Sequence, residues 1–349
     1  MKLPTLKKLP VANQRVILRT NYDVPLRDDG RVADETRIEE SLPTINYLLL
    51  KKAKIIIITH LDRPGGKPVP GLSLKLVRER LKIMLPKFKI YFSVKVFGEK
   101  TKRLQTNLKP GQVLLLENLR FDPGEEANDQ KFGQDLASLA DFYINDAFAN
   151  SHRKHASMVT LPSLLPSGLG FDCQKEVETL TKLRNQPKRP VVVILGGVKE
   201  SKIKAARKLT AWADSILVGG QLTKFKGLPK LLGHQKIMGS LTKSGEDITL
   251  KTAEKFKKVI GKAKTIIWSG PLGAYEEKKY ERGTKMIAKA MAESSAFKVV
   301  GGGDTEAALT KFGLVEKIDY ISSGGGAMLE FLAEGTLPGM EALKGGKND

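Results

Sequence analysis

Short apolar runs recur along the whole chain, and the stretches between them read as helices. Four runs lie in the first half, at residues 16–19, 55–59, 113–116 and 142–144. Five more lie in the second half, at residues 191–195, 215–218, 265–268, 297–300 and 319–321. Buried strands that alternate with helices predict an α/β fold of parallel, doubly wound sheets, whose ligands bind beyond the carboxyl ends of the strands.

All five runs of the second half end in glycine-containing turns, and the last two turns are triple glycines at residues 301–303 and 324–326. Glycine lets backbone amides approach a ligand closely, and the start of the next helix favours an anion. No turn has the spacing of a Walker P-loop or of a G-x-G-x-x-G dinucleotide motif. The set predicts a phosphate site, although packing turns of an ordinary α/β domain would explain one or two of its members.

Length and cysteine content narrow the class of protein. A chain of 349 residues favours two domains, each large enough to bury a core. The single cysteine, Cys173, excludes a disulfide framework and a cysteine-based metal cluster, and is typical of a reducing compartment. The first ten residues lack the apolar core of a signal peptide, and the apolar runs are too short to span a bilayer. We expect a cytoplasmic protein with no membrane partner.

The formal net charge of +21 comes mainly from 44 lysines spread along the chain. A solvated, lysine-rich surface explains this charge, and a second role in nucleic-acid binding is the alternative. No basic tract with interleaved aromatic residues is present, so a nucleic-acid partner is not expected. The 15 arginines are distributed differently, because 13 of them precede residue 190.

Polar side chains that could hold an anion follow the strands of the first half. They include Arg19 and the residues at 20–23, 60–64, 117–120 and 145–155, among them three of the four histidines, His60, His152 and His155. Arginines in such positions indicate a bidentate grip on phosphate or carboxylate. A helix predicted at residues 173–186 joins this half to the glycine-rich half. An anionic acceptor on one lobe and a nucleotide on the other is the layout of a kinase that closes to expel water.

At this point the chain resembles the phosphoglycerate kinase family over nearly its full length. The matching segments are residues 19–25, 34–37, 59–64, 114–121, 145–155, 194–203, 268–276, 301–305 and 322–327, with 336–339 as the closing segment. Leu-Leu-Glu-Asn-Leu-Arg-Phe at 115–121 and Val-Gly-Gly-Gly-Asp-Thr at 300–305 are the most specific of them.

The resemblance implies two Rossmann-like lobes joined by a hinge helix. Residues 1–172 form the lobe that binds 3-phosphoglycerate, 173–186 the interdomain helix, 187–334 the nucleotide lobe, and 335–349 a tail that returns to the first lobe. The implied protein is a monomeric glycolytic and gluconeogenic kinase. It transfers a phosphoryl group reversibly from 1,3-bisphosphoglycerate to ADP, giving 3-phosphoglycerate and ATP, by direct in-line transfer with lobe closure and with Mg²⁺.

The resemblance also implies the site residues. Arg37 would neutralise the equatorial oxygens of the transferring group with help from Lys202, and Gly303 and Gly326 complete the catalytic set. Asn21, Asp23, Arg37, His60, Arg63, Arg120 and Arg153 would hold the glycerate. Lys199, Lys202, Gly219, Gly220, Pro271, Glu276, Gly301, Gly302, Gly303, Asp304, Thr305, Gly324, Gly325 and Gly326 would surround ATP or ADP, and Asp304 would hold the metal. For Asp304 a helix N-cap, and for Glu276 a plain surface position, are the alternatives.

Several positions depart from the family pattern. The order Asn21-Tyr22-Asp23 exchanges acid and amide, Asp62 stands where the family has glycine, and Ser269 replaces an asparagine. The turn from Lys199 to Lys202 is one residue short, which rotates the second lysine by ~100° on a helix. Val218 replaces the first of three glycines, which could narrow the adenine slot. Between residues 225 and 268 the chain is much shorter than the pattern, which predicts a lost edge element and a more open adenine pocket.

Three other functions remain as alternatives at this stage. A catalytically impaired nucleotide- or phosphoglycerate-binding protein of the same fold would explain the departures, although it would be expected to lose some of the charged residues that are kept. A nucleic-acid-binding function predicts steeply salt-dependent affinity. A dinucleotide oxidoreductase is disfavoured, because the glycine spacing is wrong and no acid follows at the ribose distance.

Overall fold

The structure, a computed structural model, describes residues 3–198, 201–225, 227 and 236–346. Its contacts divide the chain into two compact units. The first contains the residues up to 178 together with those from 337 onward, and the second contains residues 179–336.

The first unit is built on a parallel six-stranded sheet. Its strands are β1 (Arg15–Thr20), β2 (Lys54–Ile58), β3 (Ile90–Ser93), β4 (Val113–Leu116), β5 (Phe142–Asp146) and β6 (Ser167–Leu169), in the order β3-β4-β2-β1-β5-β6. Strand β1 pairs with β2 on one side and with β5 on the other, so the strand order changes direction at β1. The carboxyl ends of β2, β1 and β5 therefore meet at one edge, where doubly wound sheets bind ligands.

The central strands of this sheet contain continuous apolar runs because both of their faces are covered. Val16, Ile17 and Leu18 of β1 are all fully buried, as are all four residues of β4. The covering helices are α1 (Thr36–Glu39), α2 (Leu42–Leu50), α3 (Lys75–Met84), α4 (Glu99–Thr106), α5 (Pro123–Glu126), α6 (Gln130–Ala137) and α7 (Thr160–Leu164). Runs of this kind are typical of parallel sheets with helices on both sides.

The second unit repeats the architecture with a second parallel sheet of six strands. Its strands are β7 (Val191–Leu195), β8 (Ser215–Val218), β9 (Lys236–Met238), β10 (Thr265–Ser269), β11 (Phe297–Gly301) and β12 (Tyr320–Ser322), in the order β12-β11-β10-β7-β8-β9. The carboxyl ends of β7, β10, β11 and β12 lie side by side at one edge. The glycine-rich turns of the sequence occupy that edge.

Helices α8 (Phe171–Asn185), α9 (Ser201–Leu209), α10 (Leu250–Ile260), α11 (Arg282–Glu293), α12 (Gly303–Lys311), α13 (Gly325–Glu334) and α14 (Pro338–Lys344) complete the described helices. Helix α10 shows why such segments fold locally. The Thr249 hydroxyl accepts a hydrogen bond from the Thr252 amide (3.2 Å) and caps the helix. Ala253, Phe256 and Ile260 then fall on one face, which is buried in the core of the unit.

The predicted fold class is confirmed by the two parallel sheets. The helix expected at 173–186 runs from Phe171 to Asn185, and the division between the units falls within it. Helix α14 belongs to the first unit, where the Gly339 amide donates to the Ser151 carbonyl oxygen (2.8 Å). The sequence analysis did not find β3, β6 and β9. Among the described residues, no helix has the length and apolar character needed to cross a membrane.

Candidate active site

In the first unit, Asp23 connects three of the loops at the carboxyl edge of the sheet. Its Oδ1 accepts a hydrogen bond from the Asp62 amide (2.8 Å), and its Oδ2 lies 3.8 Å from His60 Nε2. Its main-chain carbonyl accepts a hydrogen bond from Arg37 Nη1. The loops after β1 and β2 and the start of α1 thus bring Asp23, His60 and Arg37 together.

Asp62 has the left-handed backbone conformation that glycine adopts more easily than residues with a side chain. Its φ is +55°, in the left-handed region that glycine adopts without a steric cost. The Asp62 side chain is exposed, and its carbonyl oxygen accepts a hydrogen bond from Arg120 Nη1 (2.7 Å). The acid therefore replaces glycine at the cost of backbone strain of roughly 1 kcal/mol, while its main chain still orients Arg120.

Arg120 and Asn21 each have a buried hydrogen-bond donor with no acceptor among the described residues. Arg120 is only 2% exposed, and its Nε lies 3.1 Å from Glu126 Oε1. Its Nη2 has no hydrogen-bond partner among the described residues, and neither has Nδ2 of Asn21, whose Oδ1 accepts from Asn150 Nδ2 (3.2 Å). Buried donors left without an acceptor are costly, so both indicate a position for an external acceptor.

The same edge concentrates positive charge. Burial, followed by the charge of Arg153, lowers the pKa of Arg120 to about 10. Burial and then the charge of Arg63 lower the pKa of Arg153. Burial together with these arginines lowers the pKa of His155 to about 3. Like charges that depress one another's pKa values are stabilised when an anion binds among them.

Arg19 lies beneath this cluster rather than in it. It is 1% exposed, its Nε donates to Ser157 Oγ (3.1 Å), and its Nη1 donates to the Thr20 carbonyl. The expectation that Arg19 holds the anion is wrong, because its guanidinium is used inside the unit. Its charge is balanced by Glu125, which is fully buried and which the sequence analysis missed. Nothing in the Asp122-Pro123-Gly124-Glu125 turn marks that glutamate as interior.

In the second unit, a cavity of about 300 Å³ opens at the glycine-rich edge of the sheet. Its lining includes Gly220, Pro271, Glu276 and Asp304 of the predicted set. The residues that the sequence analysis missed are Val198, Gln221, Gly245, Glu246, Gly273 and Ala274; Gly197 also lines it. The Gln221 side-chain amide donates to the Gly245 carbonyl (2.8 Å), which joins the turn after β8 to the loop before α10. No motif predicts that second loop, because only the tertiary fold brings it to the cavity.

Two glycines show what the repeated turns do at this edge. A Cβ on Gly196 would overlap the backbone oxygens of Gly270 and Pro271, so the turns after β7 and β10 pack directly on each other. Gly302 has a φ of +96° and is the N-cap of α12. Tight packing therefore accounts for Gly196, whereas Gly302 sets the direction in which α12 begins. Gly219, Gly301, Gly303 and residues 324–326 surround these turns without being part of the cavity lining.

Asp304 and Thr305 separate into two different roles. Helix α12 begins at Gly303, so Asp304 lies in its first turn, exposed and lining the cavity. The N-cap alternative for Asp304 is therefore wrong. The Thr305 hydroxyl is buried, accepts from the Gly270 amide (2.7 Å) and lies 3.4 Å from the Gly301 carbonyl oxygen. Thr305 fixes the turn after β10 and does not line the cavity.

The lysine turn is described only in part. Lys199 lies outside the described residues. Lys202, in the first turn of α9, donates from Nζ to the Gly196 carbonyl (3.0 Å), beside the cavity-lining Gly197. The shortened turn thus still delivers an ammonium group to the edge of the cavity. Ser269 is buried at the end of β10, and its Oγ has no hydrogen-bond partner within the described part of the chain.

Comparison with known proteins identifies the family. The sequence profile described as phosphoglycerate kinase matches residues 6–227 and 231–335. The chain belongs to the phosphoglycerate kinase family. The phosphoglycerate kinase of Pseudothermotoga lettingae is 39% identical over 393 positions, with 98% of this chain and 99% of the relative covered. That of Leptospira biflexa is 40% identical over 392 positions, with 98% of each covered.

Solved structures of phosphoglycerate kinases have the same fold. The enzyme of Pyrococcus horikoshii gives a TM-score of 0.83 and that of Coxiella burnetii 0.78, each at 28% identity. Both comparisons cover 98% of this chain and 99% of the solved chain. The resemblance stated from the sequence is therefore confirmed, and so is the fold class of two α/β units with parallel sheets.

The shortening relative to other phosphoglycerate kinases is also visible in these comparisons. The alignment with the Pseudothermotoga lettingae protein extends over 393 positions, whereas this chain has 349 residues, so more than 40 positions of the relative have no counterpart here. In the second unit the edge strand of the sheet on the β8 side is the three-residue β9.

Proposed function

We propose that this chain transfers a phosphoryl group reversibly between 1,3-bisphosphoglycerate and ADP, giving 3-phosphoglycerate and ATP, with the two edges described above as its sites. Membership of the phosphoglycerate kinase family supports this reaction and makes the chain a phosphotransferase of glycolysis. The alternative, a binding protein of the same fold that has lost its chemistry, has no observation in its favour. The charged residues that the reaction needs are retained at 37, 63, 120, 153, 202 and 304.

The observation that carries the proposal is the cationic edge of the first unit. Burial and the charge of Arg153 lower the pKa of Arg120, burial and the charge of Arg63 lower that of Arg153, and Arg120 Nη2 and Asn21 Nδ2 are buried donors without an acceptor among the described residues. Phosphoglycerate carries a phosphate, a carboxylate and a hydroxyl, which supply both the negative charge and the acceptors. We assign Asn21, Asp23, His60, Arg63, Arg120 and Arg153 to the glycerate, and Arg37 to the transferring group.

The nucleotide is assigned to the cavity of the second unit. Helix α12 begins at the cavity, α13 begins beside Gly302, and we propose that the positive ends of both helices attract the phosphates. Lys202 adds a full positive charge beside Gly197. Gly219, Gly220, Pro271 and the glycines of both triple turns allow the backbone to approach, and Glu276 is placed to accept from the ribose hydroxyls.

The residues present fit a magnesium ion that arrives with the nucleotide. Mg²⁺ is held by one or two carboxylates together with substrate phosphates and water. Asp304 is an exposed carboxylate on the cavity wall, and the described residues contain no cluster of three or more metal-ligating side chains. Asp304 would hold the ion against the phosphates, where the ion would neutralise charge on them.

The protein's part in the reaction is to position the two substrates and to neutralise charge. An acyl phosphate needs no covalent enzyme intermediate, so no side chain acts as a nucleophile. The Asp23 carbonyl oxygen accepts a hydrogen bond from Arg37 Nη1, and its carboxylate accepts one from the Asp62 amide. These two hydrogen bonds fix the orientation of the Arg37 guanidinium toward the transferring group. Gly303 and Gly326 lie in the first turns of α12 and α13, and their backbone amides would donate to the transferring group. We further propose that the protein acts as a cytoplasmic monomer without a nucleic-acid partner.

A coupled assay of ATP formation from 1,3-bisphosphoglycerate, ADP and Mg²⁺ tests the proposed function. We expect ADP-dependent turnover that saturates with both substrates. Binding of 3-phosphoglycerate without turnover would instead favour the impaired binding protein. Binding of unrelated nucleic acids with steep salt dependence would add the function that the net charge alone suggested.

We predict weak discrimination between nucleotide bases, because the chain between residues 225 and 268 is short and the cavity is lined there by Gly245 and Glu246. Glu246 is half-buried, and its carboxylate can accept hydrogen bonds from the N–H groups of guanine as well as from the adenine amino group. GDP is expected to bind within about tenfold of ADP, which is a difference of no more than ~1.4 kcal/mol. Calorimetric titration of both diphosphates measures this ratio, and tight ADP-selective binding would contradict the prediction.

A further inference from the structure

His60 contacts Arg19, a buried residue beneath the edge of the first sheet at which we place the substrate (the substrate edge). Arg19 lies in β1, next to Ile58 of β2 in the sheet register, and His60 follows that strand by two residues. Arg19 Nη2 lies 3.1 Å from His60 Nδ1, and both side chains are 1% exposed. The contact is therefore shielded from bulk water.

The chemistry of the two groups leaves one protonation state for His60. A guanidinium has only N–H donors, so His60 Nδ1 must be the acceptor in this contact. In a neutral imidazole one ring nitrogen carries the proton and the other accepts, so the proton is on Nε2. A proton on Nδ1 would place two donors against each other, and a charged imidazole would add the repulsion of two cations.

Arg19 is itself fixed in position by a second buried pair. Its Nε donates to Ser157 Oγ (3.1 Å), and that hydroxyl donates to Glu125 Oε1 (2.6 Å). Glu125 Oε2 accepts from the Ser157 amide (2.9 Å), and the carboxylate is fully buried. Glu125 thus compensates the charge of Arg19 through one hydroxyl, and the guanidinium keeps one orientation toward His60.

Burial and the nearby arginines also disfavour a charged imidazole at His60. Burial, followed by the charges of Arg19, Arg120 and Arg153, lowers the pKa of His60 well below its ordinary value. On the other side of the ring, Nε2 lies 3.8 Å from Asp23 Oδ2, which is too far for a direct hydrogen bond. The Nε2–H group therefore faces the substrate edge with its donor available.

We propose that Arg19 is a positioning residue that fixes His60 as the neutral tautomer with its proton on Nε2, so that His60 donates to an oxygen of bound phosphoglycerate. This inference rests on the proposed function for its ligand. It gives His60 a role that differs from those of the neighbouring arginines. His60 supplies a directed donor without adding charge to an edge already crowded with cations.

Nitrogen-15 NMR of the full-length chain with labelled histidine tests the tautomer without any ligand. The chain has four histidines, so the signal that disappears in His60→Gln identifies the residue. At pH 7 we expect a proton on Nε2 of His60 and none on Nδ1. A proton on Nδ1, or on both nitrogens, would overturn the proposal. The tautomer is read from the spectrum of the wild-type protein, and His60→Gln serves only to assign the signal.

A pair of substitutions tests whether Arg19 fixes the tautomer of His60. The double variant Arg19→Gln with Glu125→Gln removes both buried charges, so neither is left unpaired. Arg15→Gln is the matched control, because Arg15 lies in the same strand but pairs with Asp141 at its other end. In the double variant we expect both tautomers of His60, and a KM for 3-phosphoglycerate raised about tenfold with kcat changed by less than about threefold.

The outcomes separate this inference from a purely structural role and from the proposed function. A structural role would lower the stability of the double variant and leave both the tautomer and the KM unchanged, which would overturn the proposal. Arg15→Gln is expected to leave both readouts unchanged. If the wild type had the Nε2 proton but no kinase activity, the proposed function would fail while the role of Arg19 in fixing the tautomer stood.

Discussion

Replacing Arg37 with alanine is expected to lower kcat for ATP formation by about 10³-fold, which is the lower end of what an arginine contributes to phosphoryl transfer in other enzymes. Charge on the transferring phosphoryl group is spread over its equatorial oxygens in the transition state. Arg37 is half-buried, and its Nη1 is held by the Asp23 carbonyl, so the guanidinium is oriented before substrate binds. Alanine removes this charge and leaves only Lys202 and the metal to neutralise the transferring group.

The control for this variant is Arg31→Ala. Arg31 is an exposed arginine six residues away that pairs with Asp29 (2.6 Å), so its loss removes the same charge without touching the substrate edge. We expect the coupled assay to show near wild-type turnover for Arg31→Ala. Equal turnover in the two variants would mean that Arg37 does not contact the transferring group. An Arg37→Ala protein with unchanged kcat but raised KM would assign it to ground-state binding.

Replacing Asp304 with asparagine is expected to lower kcat/KM for the magnesium nucleotide by about 100-fold, because the metal loses its protein carboxylate. Asp304 is exposed on the cavity wall in the first turn of α12, so the substitution leaves no buried group unpaired and should not unfold the protein. Part of the loss should be recovered at higher Mg²⁺ concentration, since the nucleotide phosphates remain as ligands.

The dependence of turnover on Mg²⁺ and the KM for 3-phosphoglycerate test whether Asp304 holds the metal. Turnover is followed against Mg²⁺ concentration in the wild type, in Asp304→Asn and in Glu316→Gln, which removes an exposed carboxylate elsewhere in the same unit. The KM for 3-phosphoglycerate should be the same in all three. If Asp304→Asn had the Mg²⁺ dependence of the wild type, the assignment of the metal to this residue would be wrong.

The long strands and the glycine turns were predictable from the sequence, and the short edge strands were not. Strand β7 is an unbroken apolar run, and β1 contains the buried apolar run Val16-Ile17-Leu18, because helices cover both faces of each sheet. Strands β6 and β9 have three residues each, and only the first and last of the four residues of β3, at a sheet edge, are buried. An edge strand has one neighbour and can be short, so its sequence carries little hydrophobic pattern.

The site was predictable as a set of strand ends, but not in the direction of each side chain. The position of Arg19 at the end of β1 is correct, yet its guanidinium points into the unit toward Ser157 and Glu125, which lies more than 100 residues away in the chain. Gly245 and Glu246 were likewise not predicted to line the cavity, because only the tertiary fold brings their loop there. Contacts of this kind depend on tertiary packing, which leaves no local signature in the sequence.

The return of α14 to the first unit has a consequence for the synthesis of the protein on the ribosome. The first unit is made of two separated stretches of chain, and Met340 and Leu343 of its last helix are fully buried. Residues 179–336 form an uninterrupted unit, so every residue that its core needs is made before α14. Domains generally fold as units during translation. Here the unit that is started first is the one that is finished last.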